Sequence, residues 1–402
     1  MEAQAKGLGT VGAPDRAIVP AWDHGLGDGP RHVLRREYFG VLVYDRETCQ
    51  YVPYDAAAAD LLLARSEGPV PAASPSEEAF LGALAAEGLI DGRGQLAARV
   101  VGDRSAADRL SAPLTVYLGA TQGCNLACGH CSSGSAPGPL GALDGRLMRR
   151  LFSELHDLGC MQVHVSGGEP LLHPELLEAL DVAFGLGLNV LLTTNGTLVT
   201  EALADELAKR PFRCLSVSVD GWDASSNDRV RGPGSFAAAL KGLGRLARRR
   251  PTGVTATFTP ALQGKLAELV RLCEEVGAAS LSLRPALPSG RALKHPELIP
   301  TQADFEAATR ELDRLQRDAA IPLFHPPEVP HQATSAFVVE LEADGEPCPS
   351  RRLCRRRSCR QRGSAVSPRS ASPGYWAGKG RWRAASRVQR DQSPASASSL
   401  RP

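Results

Sequence analysis

Residues 114–131 read LTVYLGATQGCNLACGHC. The run from Thr115 to Ala120 is short, apolar and rich in β-branched and aromatic residues. It gives way to Thr121-Gln122-Gly123, so it predicts a buried strand that delivers a loop. That loop carries Cys124, Cys128 and Cys131. The same grammar repeats downstream, where MQVHVSG, NVLLTTN, LSVSVDG, VTATFTP and SLSLRP alternate with helix-period segments such as RLMRRLFSELHDLG and LAELVRLCEEVG. Six apolar strands joined by five helical crossovers predict an α/β fold with a parallel sheet, either an open doubly wound sheet or a barrel. Both architectures place chemistry at the C-terminal ends of the strands, which is where the cysteines fall.

Three thiolates on one such loop can converge on a metal centre. Structural zinc sites close with four ligands, so a triplet without a nearby fourth cysteine predicts an iron–sulfur cluster with one open position. The competing readings are a zinc knuckle completed by His130 or His164, or simply buried thiols. The other strand ends carry polar residues: Gly167-Gly168-Glu169-Pro170 after the second, Thr194 and Asn195 at the third, Ser218 and Asp220 at the fourth, Arg284 at the sixth. Taken alone, the Gly-Gly-Glu-Pro turn reads as a tight strand-to-helix connection.

Taken together, these motifs resemble the radical S-adenosylmethionine (radical SAM) enzymes over roughly residues 113–310. The resemblance implies a partial (βα)6 barrel, a [4Fe–4S] cluster held by Cys124, Cys128 and Cys131, and bound S-adenosylmethionine. It implies that Gly167, Gly168, Glu169 and Pro170 form the turn whose backbone receives the methionine amino group. His130 stands where the family commonly has Tyr or Phe, and its flat ring can lie against adenine. Thr194, Asn195, Ser218 and Asp220 suit a ribose diol, while Arg231 or Arg284 suits the methionine carboxylate. The later motifs, SVDG with Asn227-Asp228 and Arg231-Gly232, especially resemble the peptide-modifying branch, with mycofactocin and PQQ-pathway maturases among its members. The implied activity is reductive cleavage of S-adenosylmethionine to a 5′-deoxyadenosyl radical that abstracts hydrogen from a ribosomally synthesised precursor peptide, with flavodoxin or ferredoxin as electron donor. The alternatives are a small-metabolite substrate, or an iron–sulfur redox sensor without turnover.

Outside the barrel, residues 1–30 are Gly- and Pro-rich and read as a flexible leader. Residues 31–100 predict a small α+β domain. HVLRREYFGVLVYDRETCQYVPYD gives a hairpin around the DRET turn, and Ser74-Pro75-Ser76-Glu77 signals a helix start with a capping box. This domain resembles the PQQ-D-like winged-helix unit, which implies that it holds a precursor peptide by adding it as a strand to a sheet edge. ARVVGDRSAADRLSAPL, from Ala98 onward, reads as the linker into the barrel.

Residues 311–345 form a C-terminal extension, and residues 346–402 a basic tail. That tail holds thirteen Arg and one Lys against two acids, a charge of +12, so the preceding 345 residues carry −10 within a net +2. With eleven Ser and four residues from Leu, Ile, Val, Phe and Met, it predicts a disordered segment. Its Cys348, Cys354 and Cys359 stand where resembling enzymes carry auxiliary-cluster (SPASM or twitch) ligands, but without the accompanying glycines and strand formers. The abrupt change near Gly345 also fits a shift of reading frame. The tail lacks aromatic interleaving, so nucleic acid is not an expected partner.

No apolar signal region opens the chain, and the richest apolar run, AAAADLLLA, is interrupted by Asp60. This argues against secretion and membrane insertion and for a cytoplasmic protein. Of the ten cysteines, Cys160, Cys214 and Cys273 sit in apolar contexts and read as inert buried thiols, and Cys49 has no partner visible in the sequence.

Overall fold

Two sheets divide the chain. The computed structural model describes residues 29–102, 110–138 and 141–325, with the backbone of 336–339. Most of the leader, the greater part of the extension beyond 325, and the basic tail with Cys348, Cys354 and Cys359 lie outside the described residues.

The amino-terminal sheet contains β1 (His32–Glu37), β2 (Gly40–Asp45), β3 (Gln50–Asp55) and β4 (Ala98–Val101) in the order β3-β2-β1-β4. The expected hairpin is β2–β3, with Asp45 opposite Gln50. The stretch before it forms a third antiparallel strand. Residues 98–101, expected to open the linker, instead pair parallel with β1. Helices α1 (Ala56–Ala64) and α2 (Pro75–Ala86) cover one face. Ser74 caps α2 as expected, but the Glu77 carboxylate accepts from Ala73 rather than from Ser74, so the capping box is shifted by one residue.

Alternation then splits the sheet between two cores. Leu34, Val41 and Val43 pack under α1 and α2 with Leu62 and Leu84, whereas Val33, Tyr44 and Val101 join the core of the larger sheet.

The larger sheet is parallel throughout. Its strands are β5 (Thr115–Thr121), β6 (Gln162–Gly167), β7 (Asn189–Thr194), β8 (Cys214–Ser218), β9 (Gly253–Phe258), β10 (Leu281–Pro285), β11 (Leu323–Phe324) and β12 (Ala336–Val339). The order is β11-β10-β9-β8-β7-β6-β5-β12, so two short strands extend the expected six. The intervening helices are α3 (Gly145–Asp157), α4 (Leu176–Gly185), α5 (Glu201–Ala208), α6 (Ala224–Arg231), α7 (Ser235–Ala247) and α8 (Leu266–Glu275), followed by α9 (Gln302–Leu315). Alternate strand residues such as Val116, Leu118, Val163, Val165, Leu215, Val217, Leu281 and Leu283 are buried in the core against these helices.

The sheet curls. β5 and β10 are five places apart, about 24 Å in a flat sheet. Yet the Arg291 amide, just beyond β10, donates to the Cys131 carbonyl, beyond β5, at 2.9 Å. The loops that follow these two strands thus meet over the sheet, the arrangement a sheet rolled toward a barrel gives.

The small sheet caps the opposite rim. Arg35 is buried in an ion pair with Glu37 and donates to the carbonyls of Ala112, Pro113 and Gly159. Tyr51 donates to Leu114 at 2.7 Å, and the Asn189 amide donates to Tyr44 at 2.8 Å. Leu114 and Asn189 mark the beginnings of β5 and β7, so the amino-terminal unit grips the barrel at the end away from the cysteines. Cys49 belongs to this junction: it takes a left-handed backbone at φ 59° and accepts from Asn189 at 3.1 Å.

Candidate functional site

The cysteine loop is held from three sides. On the first, the Gly-Gly-Glu-Pro turn zips onto its run-up: Gly168 donates to Thr121 at 2.6 Å and Glu169 to Gly123 at 2.8 Å. Gly167 has φ 124°, and a methyl on Gly168 would strike the carbonyls of Gly123 and Gln122. Those two glycines are therefore required by close approach of backbone to backbone.

On the second side, Asn125 accepts from the Asn195 side chain at 2.8 Å and donates to Thr197 at 2.7 Å. On the third, Arg291 donates to the carbonyls of Cys128 at 2.8 Å, Gly134 at 3.0 Å and Ser135 at 2.7 Å. Gly290 beside it has φ 57° and lies against the Cys131 and Ser132 carbonyls. Neither Asn125 nor Arg291 stands out in the sequence. The one available signal was the Gly-Arg pair just past the sixth strand.

Several residues expected to contact a nucleoside have partners within the protein instead. Glu169 is 0% exposed, and its carboxylate accepts from Thr194 Oγ1 at 2.7 Å, the Asn195 amide at 2.7 Å and the Leu171 amide at 3.0 Å. Burial pushes its pKa up, with those donors opposing. Thr194 and Asn195 thus brace Glu169 and the cysteine loop.

Asp220 is 2% exposed and receives His130 Nε2 at 2.7 Å and Arg231 Nε at 2.6 Å on one oxygen, and the Thr257 amide at 2.6 Å on the other. Burial alone would raise the pKa of Asp220. The Arg231 guanidinium and the His130 ring together hold it well below the usual carboxylate range. Three residues expected to bind a ligand separately therefore form one buried ionic knot. His130 has its ring edge tied to Asp220 and is 8% exposed, while Arg231 is paired with Asp220. The Asn227-Asp228 pair is architectural too: Asn227 accepts the Asp220 amide, and Asp228 caps the start of α7 through Gly234, Ser235 and Phe236. Among the expected ligand contacts, Ser218 and Arg284 have side chains without a hydrogen bond to the described residues.

The three cysteines suit a cluster better than a single ion. Among the described residues, no three His, Cys, Asp or Glu side chains gather closely enough to chelate one metal ion. The thiols nevertheless feel one another. Burial pushes Cys128 up to about 11, and Cys131 and Cys124 push it the same way. Burial likewise raises Cys124, with Glu169 and Cys131 adding to it. Cys124 and Cys128 therefore ionise favourably only around a compensating cationic centre. Of the two histidines a zinc reading would call on, His130 has its Nε2 on Asp220 and His164 its Nε2 on Thr193 Oγ1 at 2.8 Å. His130 Nδ1 is buried without a partner in the middle of the loop. A hollow of about 610 Å³ beside Arg248, Arg249 and Arg250 lies on the opposite rim and shares none of these residues.

Residues 119–273 match the family model described as the radical SAM superfamily. The chain is 32% identical over 216 residues to the AdoMet-dependent heme synthase of Methanosarcina barkeri, covering 53% of this chain and 61% of that protein. It is 34% identical over 184 residues to the mycofactocin maturase MftC of Mycobacterium tuberculosis, covering 45% and 47%. The chain thus spans less than two thirds of the length of these curated relatives. Its fold is similar to that of Streptococcus suis SuiB bound to the precursor peptide SuiA, with a TM-score of 0.55 at 17% identity over 74% of this chain and 71% of that one. Among the described residues, no helix is long and apolar enough to cross a membrane.

Proposed function

We propose, for a chain that carries a radical SAM domain over residues 119–273, that it is an enzyme cleaving S-adenosylmethionine reductively and acting on a ribosomally made peptide. Members of this superfamily bind a 4Fe–4S cluster and S-adenosylmethionine, which together supply hydrogen-atom abstraction at an otherwise unreactive C–H bond. Cys124, Cys128 and Cys131 would hold three irons, leaving the fourth open to the methionine end of S-adenosylmethionine. The observation that carries this reading is the clasping of a three-cysteine loop by the Gly167–Pro170 turn on one side and Arg291 on the other.

The residues then take distinct tasks. The Gly168 and Glu169 amides are spent on Thr121 and Gly123, so the chemistry this turn offers an ammonium group is that of carbonyl acceptors. Glu169, Thr194 and Asn195 fix the turn against the third strand. The Asp220–Arg231–His130 knot holds the loop from below and presents the unpaired His130 Nδ1. Ser218, on the lumen side of β8, is the remaining hydroxyl for a ribose. The rolled sheet shields the reacting atoms from bulk water.

A peptide substrate is supported by the similarity to MftC and by the amino-terminal unit. Among the described residues, β3 is an unpaired edge of that unit's sheet, with Pro53 and Asp55 exposed. In our reading it accepts a leader segment by strand addition. The unit sits on the rim opposite the cysteine loop, and the barrel strands are about six residues, or about 20 Å, long. A precursor anchored there needs at least about six extended residues between its docking segment and the residue modified. The heme-synthase similarity supports a second reading, with a tetrapyrrole as substrate.

The test uses anaerobically reconstituted protein. Iron and sulfide analysis with electron paramagnetic resonance reads the cluster, 5′-deoxyadenosine release reads cleavage, and peptide mass reads modification. Protein that binds a cluster but releases no 5′-deoxyadenosine under reduction is a redox sensor, and the enzymatic reading fails.

A further inference from the structure

The wall of the barrel lumen carries a polar device that the site above does not use. Strand alternation turns Val163, Val165, Leu215, Val217, Leu281 and Leu283 to the helices, so His164, Ser216 and Arg284 share the inner face. Across four adjacent strands, His164 Nε2 meets Thr193 Oγ1 at 2.8 Å, Thr193 meets Ser216 Oγ at 3.0 Å, and Thr255 donates to Ser216 at 3.1 Å.

Thr255 donates to Ser216, while the Ser216–Thr193 and Thr193–His164 bonds can run in either direction, because a hydroxyl oxygen accepts up to two hydrogen bonds. In either direction His164 Nε2 is engaged by the ladder. Burial first, and Arg284 second, push His164 down to about 4, so the ring is neutral at ordinary pH. Tyr117 packs against it with ring centroids 5.1 Å apart.

Arg284 completes the arrangement. It pairs in register with Thr257 on β9, whereas Ser282 pairs with Thr255, so Arg284 lies two residues nearer the mouth than the ladder. Its guanidinium forms no hydrogen bond to the described residues, unlike Arg231, which is paired with Asp220. Two buried carboxylates of the rim, Glu169 and Asp220, already accept from other donors. A half-buried cation on a wall of hydroxyls beside a neutral imidazole, with no ion pair to an acid among the described residues, is suited to an anion.

We propose that Arg284 and the His164–Thr193–Ser216–Thr255 ladder form a carboxylate-binding site on the lumen wall, which selects an anionic group on the molecule to be modified. The planar guanidinium binds a carboxylate in bidentate fashion, and the hydroxyls of the ladder line the same wall of the lumen. The same chemistry could come from the methionine carboxylate of S-adenosylmethionine. This inference rests on the radical SAM reading, and its test separates the two.

The experiment uses the full chain, reconstituted anaerobically, as wild type, Arg284→Gln and Arg284→Lys. Calorimetry measures S-adenosylmethionine binding. Saturation-transfer NMR on the S-adenosylmethionine-loaded protein compares two capped hexapeptides differing only in a central Glu or Gln. Wild type should favour the Glu peptide by about tenfold or more. Arg284→Gln should erase the preference, Arg284→Lys should retain part of it, and S-adenosylmethionine affinity should stay within about twofold. If Arg284→Gln instead weakens S-adenosylmethionine about tenfold, with peptides bound indifferently, the carboxylate site stands and its occupant is the cofactor. If neither binding event responds in a variant with an unchanged melting temperature, the site is refuted. Wild-type protein that binds no S-adenosylmethionine refutes the radical SAM reading, while the peptide comparison, run without cofactor, still tests the lumen site.

Discussion

Replacing Asp220 with Asn should cost far more stability than a surface carboxylate would. Asp220 is buried, and its two oxygens receive His130, Arg231 and the Thr257 amide. Asn keeps the shape and one acceptor but leaves the Arg231 charge unanswered in a dry site. Removing one partner of a buried pair costs about 3–5 kcal/mol. At roughly 2–4 °C per kcal/mol for a domain above 150 residues, melting should fall by about 10 °C. A second change, Arg231→Met on top of Asp220→Asn, removes the orphaned charge and should recover about half of the loss.

The pH dependence has a definite sign. The Asp220 pKa is depressed in the folded state, so its contribution is complete above the unfolded value of about 3.9 and is lost as pH falls below that toward the folded value. Melting curves of wild type and Asp220→Asn should therefore stay separated by a constant gap between about pH 7 and 5 and converge below about pH 4. Differential scanning calorimetry at both ends of that range tests it. An Asp220→Asn protein that melts within about 2 °C of wild type at neutral pH would refute the buried-knot account.

Three further outcomes can be checked. Arg291→Ala removes three hydrogen bonds to the cysteine loop and should raise amide exchange at residues 128–135 by at least about tenfold and lower the reconstituted iron content, with Arg291→Lys intermediate because it keeps charge without the fork. Gly168→Ala forces a methyl into the Gly123 carbonyl and should reduce both cluster content and S-adenosylmethionine binding, read by iron analysis and calorimetry; normal values for both would show that the turn does not brace the loop. Replacing any one of Cys124, Cys128 and Cys131 by Ala should abolish the electron paramagnetic resonance signal of the reduced cluster without lowering melting of the metal-free protein by more than about 2 °C, since their thiols carry little internal bonding.

Much of this molecule is written locally. Strand after strand shows its apolar alternation within six residues, each helix has its period, and the spacing of Cys124, Cys128 and Cys131 restricts the chemistry before any coordinates are known. Such features depend on neighbours in the chain, so they survive being read one window at a time. Ser74 as a helix cap is legible for the same reason, and the one-residue shift of Glu77 shows how narrow that legibility is.

Only tertiary structure decided which polar groups are free. His130, Asp220 and Arg231 look alike as candidate ligands, yet they neutralise one another because the fourth strand's end, the cysteine loop and α6 meet there. Arg284 looks equivalent to Arg231, yet among the described residues it forms no ion pair with an acid, whereas Arg231 is held by Asp220. Arg291 reaches a loop 163 residues earlier, and the amino-terminal sheet docks on the far rim through Arg35 and Tyr51. The physical reason is common to all of these. A charge or donor in a folded protein is available only after the nearest complementary group is known, and in a parallel sheet that group arrives through register and curl, from strands distant in sequence.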